Sequence, residues 1–160
     1  MAEKTLDDMK KDYFLLREKY NLPSFNELNT DFQIEKASDE ETDFLLREIR
    51  KLVADRFFNY LRFVESLLNP VNVPMFAFSI VKTLGEKDKE KLTEIYKKLA
   101  KKEVELIELD IDSTDEKEAQ FLKSSYELWQ EIKKEFLEIV EVVKKNWDAE
   151  SEKSGSGYLG

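Results

Sequence analysis

Between Met1 and Lys153 this chain contains a single glycine, Gly85, and only three prolines, Pro23, Pro70 and Pro74. Strands joined by tight turns need Gly, Pro, Asn or Asp at frequent intervals, because those residues supply the special backbone angles of a turn. A chain that withholds them while running through long Lys/Glu-rich segments is committed to helices. The other three glycines, Gly155, Gly157 and Gly160, lie at the C-terminal end.

Helix starts are marked locally. Ser24 with Glu27, Ser38 with Glu41, and Ser113 with Glu116 each form a Ser-x-x-Glu box. In such a box the hydroxyl accepts from a free backbone N–H and the carboxylate reaches back to the serine's own N–H. Apolar residues at helical spacing follow all three, so a helix is expected after each.

A first helix is expected over about 5–20, carrying Leu6, Met9, Tyr13, Leu16 and Tyr20, and a short second one carries Phe25, Leu28 and Phe32. The acidic run from Glu35 to Asp43 reads as a helix cap, since negative charge is favoured at a helix N-terminus. The third helix is expected over 39–68, from Leu45 to Leu68, ending at Asn69-Pro70. Phe44, Phe58 and Phe63 widen its apolar stripe, which predicts cover on more than one side.

Pro74 suits the first turn of a fourth helix and Gly85 its C-terminal cap. A fifth helix is expected over 86–108. The last, over 114–148, carries Leu122, Tyr126, Trp129, Ile132, Phe136, Val140, Val143 and Trp147, with Glu127, Glu131, Glu135, Glu138 and Glu141 on the opposite side at about 100° per residue. The expected fold is all-α: a single compact bundle of about five or six helices over 1–148, followed by a flexible polar tail over 149–160. One alternative is α+β, because period-two alternation over 73–81 and 104–111 allows a two-stranded ribbon. No repeat of fixed period occurs, so a solenoid is not expected.

Composition removes many chemistries. The 160 residues contain no cysteine and no histidine. Disulfides, thiol nucleophiles, the usual zinc sites and the common His-based catalytic constellations are therefore excluded. The N-terminal residues lack the apolar core of a secretory signal, and the longest apolar run, Val73 to Val81, is far short of the ~20 residues that span a bilayer. A cytoplasmic protein with no membrane segment is expected. Heavy use of Lys and Glu, with only three Gln, resembles the composition of heat-adapted proteins.

Three residue groups are candidates for function. Glu105, Glu108 and Asp112 stand at i, i+3 and i+7, a spacing with which helix carboxylates could hold magnesium for a phosphohydrolase. A second helix with paired glutamates is missing, and Asp110-Ile111-Asp112 is no calcium loop, because Asp115 and Phe121 replace its glycine and its terminal glutamate. Arg47, Arg50, Lys51, Lys97, Lys98, Lys101 and Lys102 could present a phosphate-binding face. Acidic residues interleave them, and 35 Asp plus Glu against 26 Lys plus Arg give a net charge of −9, which opposes nucleic acid. No Gly-rich phosphate loop exists, so no nucleotide site or other cofactor is expected.

Aromatic residues supply the third group. The chain has 11 Phe, 6 Tyr and 2 Trp. Most belong to helix core stripes, while Phe57, Phe58, Phe63, Met75, Phe76 and Phe78 could form a groove for a partner helix or a dimer seam.

The segments Asn21-Leu22-Pro23-Ser24-Phe25-Asn26-Glu27-Leu28-Asn29, Phe44-Leu45-Leu46-Arg47-Glu48-Ile49-Arg50 and Glu116-Lys117-Glu118-Ala119-Gln120-Phe121-Leu122 resemble those of small uncharacterised archaeal all-helical proteins, over most of 10–147. The resemblance implies an archaeal cytoplasmic protein and carries no activity, cofactor or site residue. Together these features lead to the expectation of a non-enzymatic protein-interaction protein, an adaptor or assembly partner that binds a protein or itself. A magnesium-dependent phosphohydrolase and an accessory nucleic-acid-binding protein are the alternatives.

Overall fold

A computed structural model describes residues 5–39, 43–71 and 73–158, with side chains to Lys153. Six α-helices and one 3-10 helix make up the described chain: α1 (Leu6–Tyr20), α2 (Phe25–Phe32), a 3-10 helix (Ile34–Asp39), α3 (Leu45–Leu68), α4 (Met75–Lys82), α5 (Glu86–Ile111) and α6 (Asp115–Tyr158). The all-α class holds, with seven helical elements where about five or six were expected. No strand occurs among the described residues. The ribbon over 73–81 and 104–111 is replaced by α4 and the end of α5, because the apolar residues there also satisfy a helical period.

The helices pack as two compact units. Unit 1 comprises residues up to Asn59 together with Lys101–Trp129, and unit 2 comprises Tyr60–Ala100 together with residues from Gln130 onward. Helices α3, α5 and α6 each contribute residues to both.

In unit 1, Thr5 opens α1 with a capping box. Its hydroxyl accepts from the Asp8 N–H at 3.2 Å, and the Asp8 carboxylate accepts from the Thr5 N–H at 3.1 Å. The Ser24–Glu27 box opens α2 as expected, with both bonds present. Asn21 and Gln33 end these helices in the left-handed conformation, at φ 55° and 53°.

The box expected at Ser38 does not start α3. Glu41 lies outside the described residues, and the Ser38 hydroxyl instead donates to the Glu35 carbonyl within the 3-10 helix. Helix α3 begins at Leu45, later than the expected 39.

At the last helix the cap shifts by one residue. Thr114, not Ser113, accepts from the Lys117 N–H, which frees Ser113 for another bond.

Unit 1 buries Met9, Tyr13, Leu28, Phe32, Ile49, Val53, Leu122 and Trp129, among others. Phe32, Phe57 and Trp129 form a ring cluster that joins α2, α3 and α6, with centroids 5.7, 6.4 and 6.5 Å apart. Such pairs add about 0.5–1.5 kcal/mol each beyond burial of their area. Tyr13 packs edge-on against Phe25, and its hydroxyl donates to the Pro23 carbonyl, tying α1 to the loop before α2. Burial pushes the Tyr13 phenol pKa up.

Unit 2 buries Leu61, Val64, Ile80, Leu92, Ile95, Leu99, Ile132, Phe136 and Ile139. Phe136 receives Tyr60 at 5.2 Å and Phe63 at 5.9 Å. Gly85 does not cap α4. Thr83 ends that helix, and the Gly85 carbonyl accepts from the Lys89 N–H at the start of α5.

Helix α6 continues to Tyr158, past its expected end at 148. Its buried stripe stops earlier, at Ile139: Val140 and Val143 are half-buried and Trp147 is exposed. All five glutamates of the expected polar face are exposed. Among the described residues, no helix is long and apolar enough to cross a membrane.

Candidate functional site

Most of the basic candidates are engaged by acids. Arg50 stands on the inner face of α3 among Leu46, Ile49 and Val53, and it is buried. Its Nε donates to Glu118 Oε2 at 2.8 Å and its Nη2 to Glu118 Oε1 at 3.1 Å. Nη1 reaches Asp110 Oδ1 at 3.4 Å, and the Ser113 hydroxyl donates to Glu118 Oε1 at 2.8 Å. Glu118 sits near the N-terminus of α6, where a carboxylate is favoured by the helix dipole. The Glu118 hydrogen bond is the main reason the Arg50 pKa is raised. Arg50 is therefore an internal strut and offers no free cation to a phosphate.

Lys102 is buried as well. It donates to Glu105 at 2.9 Å and to the Ser124 hydroxyl, and it lies over the Phe121 ring. Arg47 stacks on Phe44, and Lys51 pairs with Glu48 at 3.2 Å. In unit 2, Lys97 pairs with Glu94 at 3.5 Å and Lys98 with Glu131 at 2.6 Å. The Glu131 bond holds the Lys98 pKa above its ordinary value. Lys101 is exposed in unit 1. Lys97 and Lys98 belong to unit 2 and the other five cations to unit 1.

Glu105, Glu108 and Asp112 do share a surface. They line an open cleft of about 650 Å³ between the end of α5 and the start of α6, with Leu109, Ile111, Lys117, Gln120, Phe121 and Ser124. Two of the three carboxylates are engaged. Glu105 holds Lys102, and Asp112 accepts from Lys117 at 2.6 Å, which holds the Asp112 carboxyl below the usual carboxylate range. Among the described residues, no three acidic side chains come close enough together to hold a metal ion. Glu105 and Glu108 stand on α5 and Asp112 follows its last residue, and Lys102 and Lys117 take the charge of Glu105 and Asp112.

The aromatic candidates divide by depth. Phe57 is core, held between Phe32 and Trp129. Phe63 is half-buried against Phe136, and Phe76 is half-buried with its ring 4.7 Å from that of Trp147. Phe58 and Phe78 are exposed, and Met75 is 84% exposed. Met75, Phe76 and Phe78 share α4, a two-turn helix whose inward residues are Ile80 and Val81. Lys82 lies over the Phe78 ring, and exposed Val71 precedes the helix.

A further group escaped the candidate list. Val104, Ile107 and Ile111 on α5 are all exposed. Alternation of Val104, Leu106, Leu109 and Ile111 suggests a strand, and that competing period hides the helical step of three and four that joins Val104, Ile107 and Ile111.

No family model, curated protein or solved structure matches this chain.

Proposed function

We propose that this protein is a non-enzymatic interaction protein that binds a protein partner through the outer surface of α4. The observation that carries the reading is the exposure of Met75 and Phe78, one turn apart on a helix whose only polar residues are Ser79 and Lys82. Neighbouring exposed apolar side chains make the kind of patch that a partner covers, and Met and Phe are characteristic of such contacts. Phe76 and Trp147, packed edge to face, supply a rigid neighbour for an incoming apolar residue. Two of the three cleft carboxylates and most of the candidate cations already sit in ion pairs, which supports binding over catalysis.

An archaeal, cytoplasmic setting belongs to the same proposal. It rests on the resemblance to archaeal helical proteins and on the Lys- and Glu-rich, cysteine-free composition.

The test is affinity capture from the native cell with the full chain and with a Met75→Asp/Phe78→Asp variant. Both positions are exposed, so the variant should melt at the temperature of the parent. Loss of a specific co-purifying protein in the variant supports the reading, and unchanged capture overturns it.

A further inference from the structure

The outer face of α5 in unit 1 carries a second apolar surface, independent of α4. Val104, Ile107 and Ile111 are exposed, Ile111 at 81%. At about 100° per residue they fall within roughly 60° of one another, forming a stripe two turns long. The same rotation places Glu103 and Asp110 along one flank of the stripe and Glu108 and Asp112 along the other, where exposed Lys101 also lies. All four acidic residues are exposed. Asp110 also reaches Arg50 at 3.4 Å and Asp112 holds Lys117 at 2.6 Å, so Glu103 and Glu108 are the main acceptors that the two rows offer a partner. Where the stripe ends, Ile111 borders the cleft in which Leu109 and Phe121 form a buried apolar floor.

Charge is divided unequally in the molecule. Unit 1 holds 14 basic and 23 acidic residues, whereas unit 2 holds 12 of each, so unit 1 carries the whole net charge of −9. An apolar stripe between two acidic rows, on the unit that holds all the excess negative charge, has a specific complement.

We propose that this face of α5 docks a basic amphipathic helix of a partner protein. Apolar residues of the partner, three and four apart, lie along Val104, Ile107 and Ile111, and flanking Lys or Arg residues meet the two acidic rows. The field of unit 1 steers the basic segment inward, and desolvation of the stripe retains it. A second copy of this chain fits poorly, because a symmetric contact would set acidic rows against acidic rows. Nucleic acid is repelled by the same rows.

The probe is a labelled Leu/Lys peptide of about five helical turns, with leucines on one face. Its controls are a scrambled isomer of identical charge and an isomer with Glu in place of Lys. Anisotropy with the full chain should show micromolar binding of the amphipathic basic peptide, weakening as salt rises. An Ile107→Asp/Ile111→Asp variant should weaken binding at least tenfold, and the milder Ile107→Ser/Ile111→Ser variant should weaken it with no change in melting. Glu103→Gln/Glu108→Gln should flatten the salt dependence, while Met75→Asp/Phe78→Asp should leave binding intact, which separates this surface from α4. Equal binding of the scrambled peptide, or unchanged binding by both isoleucine variants, overturns the proposal. So does a dimer of the parent chain that Ile111→Asp splits into monomers.

Discussion

Arg50 and Glu118 meet as a bidentate pair inside unit 1, at 2.8 and 3.1 Å, with only 8% and 2% of their side chains exposed. Two charges out of water hold each other only while both are present. Removing one partner of such a pair costs about 3–5 kcal/mol, and loss of the Glu118 charge would leave the guanidinium with the 3.4 Å contact to exposed Asp110 as its remaining carboxylate. Glu118→Gln should therefore lower the stability seen in urea unfolding by an amount of that order. The double variant Arg50→Met/Glu118→Leu should recover most of the loss, because a packed apolar pair of similar volume needs no charge compensation. A double variant as unstable as the single would show that α3 and α6 need the hydrogen-bond geometry itself.

The Ser125 hydroxyl is fully buried in α6 and makes no hydrogen bond. An unmet buried hydroxyl costs roughly 1–3 kcal/mol of desolvation, and alanine fits the same space with a better helix propensity. Ser125→Ala should raise the urea midpoint with an unchanged m-value. A drop in the midpoint would mean that the hydroxyl has a partner in solution.

Gln33 ends α2 with φ at 53°. A residue with a Cβ pays about 1–2 kcal/mol in this left-handed region, and glycine avoids that cost while losing some unfolded-state entropy. Gln33→Gly should thus stabilise the protein by up to about 1 kcal/mol. The Gln33 N–H bond to the Asn29 carbonyl should persist as slow amide exchange at residue 33.

Asp112 and Lys117 give the protein a small acid-sensitive increment. Folding lowers the Asp112 pKa, so the contribution is complete above the ordinary carboxylate value near 3.9 and fades as pH falls through the lowered folded value. In a carboxyl-carbon NMR titration, Asp112 should have a midpoint below that of a free aspartate. Lys117→Met should return it to the ordinary value. Both side chains face solvent, so the effect should shrink as salt is added.

Much of the fold was legible because helix formation is local. The Ser24–Glu27 box, the end of α3 before Asn69-Pro70 and the acidic face of α6 each depend on residues within about one turn of each other, and the structure keeps them. Local signals failed where two local solutions competed. Ser38 could cap a helix or close a 3-10 turn, Ser113 and Thr114 stood side by side as caps, and Gly85 could end one helix or begin the next. Neighbouring residues do not rank such options, because the differences are decided by what each segment packs against.

Surface chemistry was the least legible part. Arg47, Arg50 and Lys51 look alike in the chain, yet Arg50 alone turns inward to Glu118, 68 residues away. Sequence by itself determined that this protein is helical, histidine-free and cysteine-free, and rich in carboxylates, lysines and apolar side chains. Tertiary structure alone decided that Phe57 is covered while Met75 and Ile111 are not, and that all the excess charge falls in unit 1. A helical period shows which side chains share a face; only the neighbour brought up by the rest of the chain decides whether that face meets protein or water.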